Sequence, residues 1–265
     1  MTCVSRRNLL CAMGGAVVGG FMGIGPLSAA LPEMQGQATW TAHSLDADEC
    51  EPYAYAGYWN QGYGCCYGTF YSIVGVMGLK HGAPYNQFPF HIMEVGKSGI
   101  SDWGTICGAL LGAASAMALF WGRKERDPMV TDLFRWYEQT AFPLYDPGQD
   151  AQGVQGEIPG HACGSVLCHV SVSSWSFATG IPAASKTRSE RCARITADVA
   201  RKAIEIMNAK IGGRFAPVYG KPESLTYCGE CHDKEKEAPF LKGRQECTPC
   251  HSGTEHTQNK FTGHP

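Results

Sequence analysis

The chain is short of charge. Asp, Glu, Lys and Arg make up 17% of its 265 residues, against about 25% in an ordinary soluble domain. Twenty-two basic residues face 24 acidic ones, giving −2, and no long basic run occurs, which argues against nucleic acid as a partner. Also missing are a Gly-rich nucleotide loop, a Ser/His/Asp nucleophile arrangement and clear period-2 strands with hairpin turns. Nucleotide-driven and hydrolytic chemistry therefore lack the residues they need, and an all-β fold lacks its pattern. Low hydrophobicity is absent too: at 44% apolar the chain is not disordered as a whole.

Two residue types are in excess. Thirty-three glycines, about 12%, against a usual share of roughly 7%, imply tight turns or close backbone approaches. Thirteen cysteines fall short of the roughly 8–10% that marks a disulfide scaffold, and a chain this long builds a core without staples. The cysteines need a chemical explanation.

The first thirty residues read as an address. Ser5-Arg6-Arg7-Asn8-Leu9-Leu10 opens a twin-arginine type signal, an apolar Gly-rich stretch runs to Leu27, and Ser28-Ala29-Ala30 offers a cleavage site after Ala30. The alternatives are an uncleaved anchor over Leu9–Leu27, weakened by its glycines, and a lipoprotein signal at Cys11. Cleavage leaves a net charge of −4 and eleven cysteines, and implies a periplasmic protein exported already folded.

Four cysteines lie in Cys228-Gly229-Glu230-Cys231-His232 and Cys247-Thr248-Pro249-Cys250-His251. Cys-x-x-Cys-His is the c-type haem attachment spacing: two thiols three positions apart reach the two vinyl groups of one porphyrin, and the following histidine ligates the iron. A zinc ribbon or a dithiol would use the cysteines but leave both histidines unexplained. Two covalent haem c groups per chain are expected. Among the fourteen residues between His232 and Cys247 only Ala238-Pro239-Phe240-Leu241 is apolar, too little to cover two porphyrins. The haems must lie against each other, the core or another subunit. No methionine follows Met207 and seven further histidines are available, so bis-His ligation is favoured, which places the potentials low. His91, His161 and His256 are the distal candidates.

Seven cysteines remain beyond the signal and the haem motifs: Cys50, Cys65, Cys66, Cys107, Cys163, Cys168 and Cys192. Cys66, Phe70, Ile73 and Met77 form one helical stripe, Cys65, Thr69, Ser72 and Val76 a more polar one, and Cys192 heads a stripe with Ile195, Val199, Ala203 and Ile206. Cys107 stands at the head of Ile106–Trp121, read as a buried helix rather than a membrane span, with Gly108 and Gly112 allowing close approach. Spacing leaves inert thiols, a disulfide such as Cys50–Cys163, zinc and an iron–sulfur cluster all open.

Cys107-Gly108-Ala109-Leu110-Leu111-Gly112, the approach from Gly96 to Trp103-Gly104-Thr105, Leu167-Cys168-His169 and Arg191-Cys192-Ala193-Arg194 together resemble a redox family named for its four cysteines. Its first cysteine aligns with Cys66, and the resemblance covers roughly residues 50–211. Joined to the two haem motifs and the twin-arginine signal, this is similar to the split-Soret cytochromes c of sulfate-reducing bacteria. That resemblance implies a homodimer with two stacked haems per chain, sixth ligands given by the partner chain, and a [2Fe–2S] site on Cys66, Cys107, Cys168 and Cys192. Cys65 and Cys163 lie next to the pattern as alternative ligands.

Helices are expected at 66–79, 104–122, 128–140, with Asp127-Pro128 as N-cap and first residue, and 190–211. Tyr53, Tyr55, Tyr58, Trp59 and Tyr63 form either a haem-packing surface or a tyrosine-rich part of the core. The expected architecture is mainly α: a helical cysteine-rich core domain, 31–212, then an irregular dihaem-binding segment, 213–265. Electron transfer with other redox proteins is the expected role, without a membrane span after signal cleavage. The alternative is a haem enzyme reducing a small inorganic substrate at an open iron site.

Overall fold

The computed structural model describes residues 39–236 and 238–251. The signal segment and His256 lie outside them. The described chain is mainly helical, as the sequence predicts, and contains no strand.

Helix α1 (Ala47–Trp59) starts where the Asp46 carboxylate accepts the Asp48 and Glu49 N–H groups at 2.9 and 3.4 Å. Helix α2 (Gly64–Phe70) continues through a π turn, Tyr71–Gly75, into α3 (Val76–His81), which Gly82 ends at φ +74°. Then come α4 (Gly108–Phe120), α5 (Arg123–Gln139), α6 (Cys168–Thr179), α7 (Lys186–Ile211) and α8 (Glu223–His232). Ser185 caps α7, its hydroxyl accepting the Arg188 N–H at 3.1 Å.

Small residues set the packing. A Cβ on Gly68 would lie 2.5 Å from the Ala54 carbonyl oxygen, 2.8 Å from Thr196 Cγ2 and 2.9 Å from Tyr58 N, so α2 presses on the backbone of α1 and on α7 at once. Gly112 does the same for α4, whose added Cβ would meet the Cys66 carbonyl oxygen at 2.5 Å. Around these crossings Phe70, Ile73, Met77, Leu110, Met117 and Val199 are buried. Both stripes on α2 are buried, because its polar stripe faces α7, where the Thr69 hydroxyl donates to the Thr196 carbonyl at 3.3 Å.

Helix α4 is core, as expected. Its thirteen residues span about 20 Å at 1.5 Å per residue, short of the ~30 Å of a bilayer, and among the described residues no helix is long and apolar enough to cross a membrane. Helix α5 corrects the sequence reading. It begins at Arg123, with Pro128 inside it, and Asp127 accepts the Arg126 side chain at 2.9 Å instead of capping a terminus. A proline in the second turn of a helix forfeits one hydrogen bond without ending it when the helix is held by packing.

The long α7 is enclosed on nearly all sides in its middle, and Glu190, Arg191, Arg194 and Asp198 are buried beside Ile195 and Val199. Asp198 accepts the Leu144 and Tyr145 N–H groups at 3.0 and 2.7 Å, yet burial still pushes its carboxyl up to about 7. The folded state then binds this proton more tightly than the unfolded chain, so its contribution to stability falls as pH rises from about 4 to about 7. Thermal melts should show wild type losing more Tm between pH 5 and pH 8 than Asp198→Asn does. Equal losses in the two proteins would exclude this source of pH dependence.

Candidate functional site

One isolated bridge organises the cysteines of the core. Ile106 pairs antiparallel with Leu167, with the Cys107 N–H on the Val166 carbonyl at 2.8 Å and the Cys168 N–H on the Thr105 carbonyl at 2.6 Å. The pairing sets Cys107 immediately before α4 and Cys168 as the first residue of α6. Cys65 is the second residue of α2. Three thiols therefore sit at helix N-termini, where unpaired N–H groups favour a thiolate. Cys192 joins them from the first half of α7, and Cys65, Cys168 and Cys192 line a cavity of about 550 Å³ together with Tyr58, Lys97 and Arg188.

The electrostatics follow from this crowding. The Cys65 thiol donates to Cys107, which also faces the Tyr137 hydroxyl and the N–H groups of Ala109 and Leu110, and these bonds draw the Cys107 thiol below its usual range. The same pairing with Cys107, together with burial, pushes the Cys65 thiol up. Burial, then the charge at Cys107, pushes Cys168 up to about 12. The lowering at Cys107 and the rise at Cys65 and Cys168 are two sides of one proton balance, which a bound cation shifts toward the thiolates.

Cys66 is placed differently. It is fully buried on the opposite stripe of α2, against Gly96, where an added Cβ would lie 2.5 Å from its sulfur. Of the sequence-predicted set, Cys107, Cys168 and Cys192 lie around Cys65, while Cys66 lies off the cavity within electrostatic reach of Cys107. Cys163 donates to the Ser165 carbonyl at 3.1 Å, and Cys50 and Cys163 are both free thiols. Among the described residues no three His, Cys, Asp or Glu groups converge on one metal ion. A two-iron cluster held by four cysteines asks for two thiolates on each iron, and Cys65, Cys107, Cys168 and Cys192 are four thiols within electrostatic reach of one another.

The loop roofing this cavity was not foreseen. Ser98, Gly99, Ile100, Ser101 and Asp102 all have φ between 50 and 70°, costly for the four that are not glycine. The loop is held by Ser101 N–H to the Val95 carbonyl and Thr105 N–H to the Gly99 carbonyl. A Cβ on Gly99 would lie 2.9 Å from Cys168 Cβ. Tyr58 and Trp59 line the cavity and Tyr55 is buried, so these aromatics belong to the core.

The two Cys-x-x-Cys-His motifs form a second group. Cys228, Cys231 and His232 end α8, so the segment is not wholly irregular. Cys247 to His251 make a single turn, with the Cys250 and His251 N–H groups on the Cys247 carbonyl at 3.2 and 3.0 Å. The turns are adjacent: burial, then the neighbouring Cys228 thiol, pushes the Cys247 thiol up. Glu246 accepts from Ser224 on α8 and from the Thr248 N–H at 3.1 Å, and these bonds outweigh burial to lower its carboxyl. His232 Nδ1 lies 2.9 Å from the Ala238 carbonyl. A carbonyl only accepts, so Nδ1 carries the proton and Nε2 is the nitrogen suited to iron. Phe240 lies against that ring, and Val130, Phe134 and Val166 line a cavity of about 320 Å³ beside residues 243–245. These thiols, this imidazole and this apolar lining suit a covalent porphyrin.

Helix α5 docks this segment. Asp132 accepts the Val218 and Tyr219 N–H groups at 2.6 and 2.9 Å, Glu138 accepts the Glu246 N–H at 3.0 Å, and Arg135 bonds both Glu138, at 2.5 Å, and the Arg244 carbonyl. The three are buried and three residues apart, so they share one face. That spacing of charges was the available signal. Asp132→Ala should loosen the segment by about 2 kcal/mol, a roughly thirtyfold rise in its open fraction. Limited proteolysis at residues 212–222 reads that fraction, and cleavage at the wild-type rate would refute the docking role.

Of the distal candidates, His91 is exposed on the turn Phe90–Gly96. His161 faces Phe142 across a bridge with Nε2 2.6 Å from Ser174 Oγ, and its loop meets the second motif where Pro249 approaches Gly164. His256 is outside the described residues.

Residues 63–206 match the family model described as "Putative redox-active protein (C_GCAxxG_C_C)". Over 99% of both chains the sequence is 54% identical to split-Soret cytochrome c of Desulfovibrio desulfuricans. The chain belongs to the split-Soret cytochrome c family. A solved structure described as "A novel iron centre in the split-Soret cytochrome c from Desulfovibrio desulfuricans ATCC 27774" is similar with a TM-score of 0.79 and 58% identity, covering 85% of this chain and 95% of that one. In this member of the family the matched redox region spans Cys65, Cys66, Cys107, Cys168 and Cys192, and both Cys-x-x-Cys-His motifs fall after it.

Proposed function

We propose that this chain is a periplasmic electron-transfer protein with two c-type haems and one [2Fe–2S] centre. Cys228 and Cys231 hold one haem with His232 as proximal ligand, and Cys247 and Cys250 hold the other with His251. Cys65, Cys107, Cys168 and Cys192 hold the cluster, with Cys65 in place of Cys66. The parts are a twin-arginine signal, residues 1–30, a helical domain, 31–212, and a dihaem segment, 213–265. The protein works as a homodimer, in which His91, His161 and His256 are the candidates for sixth ligands, given across the interface.

The observation that carries this reading is the adjacency of the two Cys-x-x-Cys-His turns, the first ending α8 and the second tied to α8 through Glu246, which accepts from Ser224 and from the Thr248 N–H. The iron centre named for the relative and the four adjacent thiols support the cluster. Bound haem and iron–sulfur groups supply the one-electron chemistry. The chain's own residues fix distance, ligation and burial: Ala238 orients His232, Glu246 ties the second turn to α8, and Asp132 and Glu138 tie both to the core. The exposed Val218, Tyr227 and Phe240 suit cover by porphyrin or by a partner chain.

Iron and acid-labile sulfide in anaerobically purified protein test the reading. Four irons and two sulfides per chain are expected, in a particle that sediments as a dimer. Two irons without sulfide would remove the cluster and leave the haems, and a monomer would remove ligand exchange between chains.

A further inference from the structure

Arg191 is a buried charge with no carboxylate hydrogen-bonded to it, although Asp198 feels its charge. It is wholly buried on α7, one residue before Cys192. No carboxylate bonds it: Glu190 accepts from Tyr55, Arg194 and the Gly153 N–H, and Asp198 accepts from the Leu144 and Tyr145 N–H groups. Its terminal nitrogens donate to Ser171 Oγ at 3.3 and 3.4 Å, and its plane lies over Trp175 with 5.2 Å to the ring centroid. Its Nε is buried without a partner among the described residues. A guanidinium does not shed its proton, and a buried cation left uncompensated is strongly destabilising. Asp198, pushed up to about 7 by burial, answers it only in part.

The path from Arg191 leads to the cysteines. Ser171 Oγ, which it contacts, also accepts the Tyr137 hydroxyl at 3.1 Å, and that hydroxyl faces the Cys107 sulfur. Tyr137 carries a single hydroxyl proton, which reaches the sulfur when the Ser171 hydroxyl turns to donate to the Tyr137 oxygen. Arg191, Ser171, Tyr137 and Cys107 thus form a buried chain that crosses α7, α6 and α5 to the start of α4.

We propose that Arg191, acting through Ser171 and Tyr137, is the buried counter-charge of the iron centre and a positioning residue that sets its reduction potential. This rests on the reading that Cys107 and Cys168 hold iron. Reduction adds one negative charge to the centre, and a fixed cation with a hydroxyl donor at a ligand sulfur favours the reduced form. The haem segment docks through Asp132, Arg135 and Glu138 instead, so the effect is confined to the iron centre.

The test is a redox titration of holoprotein followed by EPR, with the haems as internal reference. Tyr137→Phe and Arg191→Gln should shift the iron centre at least tenfold toward the oxidised state, 59 mV for one electron, while Arg191→Lys retains most of the wild-type value and the haem midpoints stay fixed. If Arg191→Gln fails to fold, Tyr137→Phe, which removes one oxygen and keeps the ring, decides alone. A Tyr137→Phe protein with full iron and sulfide and an unmoved midpoint overturns the proposal and leaves the iron site standing. An equal shift in haems and iron centre overturns it as well. Wild-type protein without non-haem iron overturns the iron site and this proposal together.

Discussion

Replacing Cys228 and Cys231 together with alanine should remove one of two covalent porphyrins and leave the other in place. The pair lies three residues apart on α8, on one face, with His232 directly after it, and among the described residues only the second motif offers the same arrangement. Acidified organic solvent should strip nothing from wild type, whose polypeptide should weigh as protein plus two haems. The double variant should weigh as protein plus one. Loss of both haems would mean that the second site cannot be loaded without the first, which the adjacency of the two motifs makes the informative failure. A wild-type polypeptide with the mass of bare protein would end the cytochrome reading. Cys228→Ala alone should keep the haem through one thioether but lose material during purification, because a single attachment leaves the porphyrin held mainly by ligation at His232.

What the sequence made legible was chemistry with fixed local spacing. Cys-x-x-Cys-His needs no tertiary context to be read, and Gly108 with Gly112 declared a close approach that the structure bears out, although the helix begins at Gly108 rather than at residue 104. The stripe of Ile195, Val199, Ala203 and Ile206 on α7 is buried as periodicity requires. What stayed hidden was decided by packing between distant segments. Cys65 and Cys66 occupy adjacent positions on a helix buried on both faces, so periodicity could not say which sulfur meets the cavity. Helix α1 carries Pro52 and clustered tyrosines, and α6 is rich in serine, so neither showed a clean apolar stripe. Arg191 looked like a basic residue flanking a cysteine. Only the folded chain shows it sealed away from water with serine, tyrosine and tryptophan for company.

Gly108→Ala should damage fold and iron site at once. The added methyl would lie 2.5 Å from the Gly96 carbonyl oxygen, 2.6 Å from Cys65 Sγ and 3.2 Å from Cys66 N. None of these can easily yield. Gly96 is buried at the foot of the left-handed loop, which is anchored at the Val95 and Gly99 carbonyls, and Cys65 lies in a helix clamped by α4 and α1. Relief requires α4 to move off α2, and overpacking of this kind costs about 3 kcal/mol. The same displacement parts Cys65 from Cys107, so most non-haem iron should be lost while both haems remain. Denaturant unfolding and iron analysis read the two effects separately. Gly220→Ala, with nothing within 4 Å of its added Cβ, is the control and should stay within about 0.5 kcal/mol of wild type. A Gly108→Ala protein with wild-type stability and full iron would show that the approach of α4 to α2 is looser than drawn. One that keeps its stability but loses iron would place the constraint in the thiol pair alone.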